Sequence, residues 1–106
     1  MRVNERALML IVAAIGNYPE ERPYGNDWPD DEKAEVTFSH WALDEILDLV
    51  WDHPWTMASD TIEDFILKCQ VGEMASELPE QKRIFSIAAK TAMEILDEIK
   101  EVEKFV

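Results

Sequence analysis

The side chains best suited to chemistry in this chain are the carboxylates of residues 34–67. That stretch holds eight acids, both histidines and three of the four tryptophans, and it contains no lysine or arginine. Carboxylates bind cations, transfer protons or pair with basic partners, and tryptophan often dominates binding interfaces. No catalytic motif accompanies these residues. We therefore expect the stretch to bind a partner rather than to catalyse a reaction.

Four of these acids follow one face of a predicted helix. Asp44, Asp48 and Asp52 are four residues apart, which spaces them by about 6 Å along the helix axis, and Glu45 lies beside them. The apolar residues of this helix fall on the opposite side. A regular ladder of negative charge on a rigid helix can occupy the positive groove of a nucleic-acid-binding protein in place of phosphates. The predicted partner-binding residues are His40, Trp41, Asp44, Glu45, Asp48 and Asp52.

The concrete form of this hypothesis is a small acidic inhibitor of the anti-CRISPR type, which phages and other mobile elements direct against host defences. Trp41 is the predicted anchor, because it lies among these acids on the same side of the helix and tryptophan is enriched among interface hot spots. Two simpler interpretations stay open. The acids of this helix can serve solubility alone, and the loop before the helix can fold over Trp41 and bury it.

Metal ligation and a nucleophilic cysteine are less well supported by the sequence. His40 and Asp44 are i, i+4 neighbours that could supply two metal ligands from one helix. The chain has no His-x-x-x-His, Cys-x-x-Cys or EF-hand pattern, so we predict no metal and no cofactor. Cys69 lies on an apolar helical stripe, where a cysteine packs as a small hydrophobic residue.

Two pairs of acids suggest an enzyme as the main alternative. Glu45-x-x-Asp48 and Glu94-x-x-Asp97 resemble the pairs with which all-α nucleotide pyrophosphohydrolases of the MazG type hold magnesium. The likeness covers eight residues. It implies magnesium-dependent hydrolysis of a nucleotide by a dimeric protein. The Glu-x-x-Glu pair of that family is either missing here or falls on Glu32 and Glu35.

The overall charge limits the class of partner. The 106 residues have a net charge of −13, all of it within residues 20–78, because the two ends of the chain each sum to nearly zero. This charge disfavours nucleic acid and anionic membranes as direct partners and favours a basic protein surface. No apolar segment reaches the roughly 18 residues of a membrane span. With a single cysteine the chain forms no internal disulfide, and we expect it in the cytoplasm.

Apolar periodicity predicts one all-α domain of four helices. The first is apolar nearly all round and is expected at the centre of the bundle, while Gly72 is expected to weaken or end the third. A long loop containing prolines and aromatic residues separates the first two helices. The predicted helices are residues 4–16, 38–52, 60–72 and 79–105, and the loop is 17–36.

The last helix has an apolar seam with alternating spacings of three and four residues. Such a seam packs either inside the bundle or against a second copy of the chain, so a homodimer and a homo-oligomeric structural module are further alternatives. Small alanines in the seam would allow close approach of a neighbouring helix. The seam residues are Phe85, Ala88, Ala92, Ile95, Ile99, Val102 and Val106.

Overall fold

The computed structural model describes residues 4–18 and 31–104, without the side chains of 31–34, and this part of the chain contains helices and no strands. The predicted all-α bundle is confirmed. None of the described helices combines the length and apolar composition that a membrane span requires. The helices are α1 (Glu5–Ile15), α2 (Asp31–Asp52), α3 (Ala58–Ala75) and α4 (Pro79–Glu103).

The second helix begins earlier than predicted. It starts at Asp31, so residues 31–36 of the predicted loop form its first turns. Acids at a helix start are favourable because the N-terminal end of the helix dipole is positive. The sequence has no glycine or proline between Pro29 and the helix interior that would stop it. The rest of the predicted loop, residues 19–30, lies outside the described residues.

The third helix passes through Gly72 instead of ending there, and it stops at Ala75. The ring of Phe85 on α4 lies over this glycine, with a ring atom 2.9 Å from the position that a Cβ atom would take. Only a residue without a side chain allows α3 and Phe85 to approach this closely. Gly72 is therefore a packing residue inside the helix, and the predicted helix end was wrong.

The long helix α4 forms the centre of the bundle and contacts each of the other three helices. Ala88, Ala92, Ile95 and Ile99 of its predicted seam are fully or almost fully buried within the single chain, and Phe85 packs against the same core. Val102 is half-buried, whereas Val106 lies outside the described residues. The buried part of the seam is thus core and is not available as a surface for a second copy.

The first helix lies at the surface, contrary to the prediction that it would be central. Only Ala7 and Ile11 are buried, whereas the side chains of Met9 and Val12 are 69% and 55% exposed. The three longer helices already form a core around the small residues of α4, so α1 packs against α2 and α4 from outside. An apolar surface therefore remains on α1.

Two buried polar contacts fix the positions of α2 and α3. Ser39 on α2 and Thr91 on α4 share a hydrogen bond of 2.8 Å between their hydroxyl oxygens. Before α1, the buried Asn4 donates from Nδ2 to the carbonyl oxygen of Thr56 at 2.8 Å and accepts the backbone N–H of Ala58 at 2.9 Å. Asn4 thus holds the turn between α2 and α3 against the start of the chain.

We expect Asn4→Ala to lower the free energy of unfolding by about 1–3 kcal/mol, because the N–H of Ala58, which begins α3, loses its buried acceptor. Asn4→Asp should also be destabilising, because it removes the Nδ2 donor to the Thr56 carbonyl oxygen and places a carboxylate at a buried site. Chemical denaturation measures both effects, and Asn17→Ala, at an exposed asparagine just beyond α1, is the matched control. Equal stability of the Asn4→Ala and Asn17→Ala variants would contradict the assigned role.

Candidate protein-binding surface

Residues 34–67 contain eight acids and no lysine or arginine. Three of these acids are paired with lysines that lie outside this segment. Their partners lie on α4 or one turn further along α3, so these acids contribute to contacts within the bundle. The Glu63 carboxylate accepts a hydrogen bond from Lys100 and thereby raises the pKa of that lysine. The pairs are Glu35–Lys90 at 3.6 Å, Glu63–Lys100 at 3.0 Å and Asp64–Lys68 at 3.1 Å.

The carboxylates on the exposed face of α2 have no such partners. Asp44, Glu45, Asp48 and Asp52 are all exposed, and none of them forms an ion pair with any residue in the described part of the chain. Asp60 is also exposed, but it lies in the first turn of α3, where the helix dipole favours an acid. Among the eight acids of residues 34–67, these four carboxylates of α2 are the ones to which the fold assigns no role.

These four carboxylates sit on a rigid support. The opposite face of α2 is anchored by Leu43, Ile46 and Val50, each at most 1% exposed, so the helix cannot rotate without opening the core. Along one side of a regular helix, residues four apart stay about 6 Å apart in the axial direction. The α2 carboxylates therefore form a fixed array of negative charge. We call these residues, Asp44, Glu45, Asp48 and Asp52, the acidic face.

Trp41 is only partly available to a partner. Its side chain is 40% exposed, and its ring packs against Phe65 of α3, with the ring centroids 6.5 Å apart and the planes tilted by 50°. It also borders a groove that contains Gly72 and Phe85. Trp41 thus joins α2 to α3 and leaves one edge open, while any cover by residues 19–30 lies outside the described structure.

His40 has a role within the fold. Its Nδ1 is hydrogen-bonded to the backbone carbonyl oxygen of Tyr18, so the ring donates a proton there and ties α2 to the end of α1. This nitrogen is therefore engaged, which leaves only Nε2 to contact a partner. His53, at the other end of α2, donates in the same way to the carbonyl oxygen of Leu49 at 2.7 Å and satisfies the helix terminus.

No cluster of three or more histidine, cysteine, aspartate or glutamate side chains that could hold a metal is present among the described residues. The acid pairs beginning at Glu45 and Glu94 do not form such a cluster there, and the side chain of Glu32 is not described. Cys69 is buried in the apolar core, and desolvation raises the pKa of its thiol, which disfavours the thiolate.

Two tryptophans outside the predicted site are more exposed than Trp41. Trp51 is 59% exposed. It lies seven residues after Asp44 and three after Asp48, so it shares their side of α2. Trp55, in the turn before α3, is 95% exposed. The helical spacing could have placed Trp51 beside the acids, whereas Trp55 lies outside any helix and no periodic pattern predicts its exposure.

A second exposed apolar stripe lies on another side of the molecule. It follows α3 into the α3–α4 connection with spacings of four, three and four residues, and its members are Leu67, Val71, Met74 and Leu78. The residues from Leu67 to Leu78 contain one lysine and two glutamates, so this surface is close to neutral. It lacks the negative charge that distinguishes the acidic face.

No protein-family model, characterised protein or solved structure shows a significant match to this chain. Its function must therefore be argued from the geometry of its own residues.

Proposed function

We propose that this protein acts by binding a basic protein through the acidic face, and that Trp51 and Trp55 supply apolar contacts beside it. One observation supports this proposal above all: the four carboxylates of that face have no cation partner in the described part of the chain, whereas Glu35, Glu63 and Asp64 of the same segment do. A surface that serves solubility alone normally mixes both signs of charge. Unpaired carboxylates beside exposed tryptophans fit a partner rich in lysine and arginine.

The target class we propose is a nucleic-acid-binding protein. Successive aspartates on α2 are separated by about 6 Å along the helix axis, so they present a regular line of negative charge, as a phosphate backbone does. A rigid helix with this spacing can enter a groove built for a phosphate backbone. The protein would then act as a competitive inhibitor, of the kind that phages and mobile elements use against host defences.

The test is affinity capture from the native host, with and without phage infection, followed by displacement with double-stranded DNA. We expect the immobilised protein to retain a basic nucleic-acid-binding protein that excess DNA releases, because both ligands occupy the same groove. A matched bait with all four residues of the acidic face changed to Asn or Gln should retain much less of it. A basic protein that both baits retain equally, and that DNA does not release, would contradict the proposal.

A further inference from the structure

A groove between α1 and α2 adjoins the acidic face. It encloses about 760 Å³ and has an apolar floor, to which α1 contributes Leu8, Met9 and Val12 and α2 contributes Leu47 and Trp51. Three of these side chains, Met9, Val12 and Trp51, are more than half exposed. Exposed apolar surface of this kind, concentrated in one groove, marks interaction sites on soluble proteins.

The border of this groove is negatively charged. Glu5 on α1 and Asp48 on α2 line it directly, and Asp44 lies one turn before Asp48 on the exposed side of the same helix. The single basic residue of α1, Arg6, lines an adjoining groove between α1 and α4, which shares Met9 and Ala13 with this one. The α1–α2 groove therefore combines an apolar floor with carboxylates along its edges.

We infer that this groove binds an amphipathic, basic α-helix of the partner protein. The inference rests on the proposed function and specifies which element of the basic partner makes contact. Helix-in-groove recognition places apolar side chains at i, i+3 or i+4, and i+7 against an apolar floor. Here these anchors pack against Met9, Val12 and Trp51, while flanking lysines or arginines face Glu5 and Asp48.

The dimensions of α1 agree with this occupant. A helix of 11 residues is about 16 Å long, or three turns, which accommodates three or four apolar anchors of a partner helix. Electrostatic repulsion disfavours a second copy of this chain as the occupant of the groove. A second copy would bring its own net charge of −13 and its own carboxylates to the same border, so repulsion would oppose the contact.

The probe is a synthetic helical peptide of leucine and lysine with leucines on one face, and its control is a scrambled peptide of identical composition. We expect the protein to bind the amphipathic peptide about tenfold more tightly than the scrambled one, because only the first presents an apolar face to the groove. Met9→Gln/Val12→Gln should remove this difference without changing net charge. Leu67→Gln/Val71→Gln, on the exposed stripe of α3, is the matched control and should preserve it.

Each other outcome overturns the inference in a distinguishable way. If both peptides bind equally and Met9→Gln/Val12→Gln has no effect, while Asp44→Asn/Asp48→Asn weakens both, the groove is not a helix site and the acidic-face proposal stands. If neither peptide binds, or if Asp44→Asn/Asp48→Asn leaves the affinity for both peptides unchanged, the inference and the proposed function both fail. If the wild-type protein has the solution mass of a dimer that Met9→Gln/Val12→Gln dissociates, the groove holds a second copy.

Discussion

Asp44→Lys/Asp48→Lys is expected to weaken binding of the captured partner by more than about 100-fold. Close charge pairs across an interface have coupling energies of about 1.5–7 kcal/mol, so the loss of two pairs costs at least about 3 kcal/mol. New repulsion from a basic partner adds to this. Both residues are exposed, and lysine favours helix more than aspartate does, so α2 should remain folded.

The matched control reverses two acids at the same spacing on another helix. Glu94→Lys/Glu98→Lys, at exposed positions on α4, changes the net charge by the same amount. We expect isothermal titration calorimetry to give a dissociation constant within a few fold of the wild type for this control, and circular dichroism to show unchanged helix content for both variants. A similar loss of affinity in both would mean that total charge, and not the acidic face, governs binding.

Trp55→Ala is expected to weaken partner binding by about 30-fold, with little effect on stability. A tryptophan that becomes buried at an interface is typically a hot spot worth about 2 kcal/mol or more. In the free protein its side chain is 95% exposed, so truncation leaves no cavity and should change the free energy of unfolding by less than about 0.5 kcal/mol.

The control for Trp55→Ala is a substitution at another large, solvent-exposed apolar side chain. Met74 on α3 is 84% exposed and belongs to the near-neutral stripe rather than to the acidic face. Calorimetric titration should show that Met74→Ala binds the partner like the wild type. If Met74→Ala and Trp55→Ala weaken binding equally, or if Trp55→Ala has no effect, the tryptophan is not part of the binding surface.

Helix type and the α4 seam could be predicted from sequence because they depend on local periodicity. The three-four spacing through Ala88, Ala92, Ile95 and Ile99 defines one face of a helix whatever surrounds it. The position of α1 could not be predicted in this way. Its apolar residues nearly encircle the helix, but whether they are buried depends on how much of the centre the longer helices occupy.

In the candidate site, too, the features that depend on local spacing could be predicted and those that depend on distant contacts could not. The exposure of the α2 carboxylates follows from helical spacing relative to the core residues of that helix. The packing of Trp41 on Phe65 and the bond between His40 and Tyr18 join residues more than 20 positions apart, which no local pattern encodes. Gly72 misled the prediction for the same reason, since the ring that requires it comes from α4.

The most direct test of the central claim is the salt dependence of partner binding to the wild type and to Asp44→Asn/Asp48→Asn. Affinity is measured from about 0.05 to about 0.5 M salt, a range over which the Debye length falls from above to well below about 10 Å. We predict that the wild type loses affinity more steeply and that the two curves converge at high salt, because the variant retains the shape and lacks the charge. Parallel curves, with equal slopes at every salt concentration, would contradict the claim that these carboxylates bind the partner by their charge.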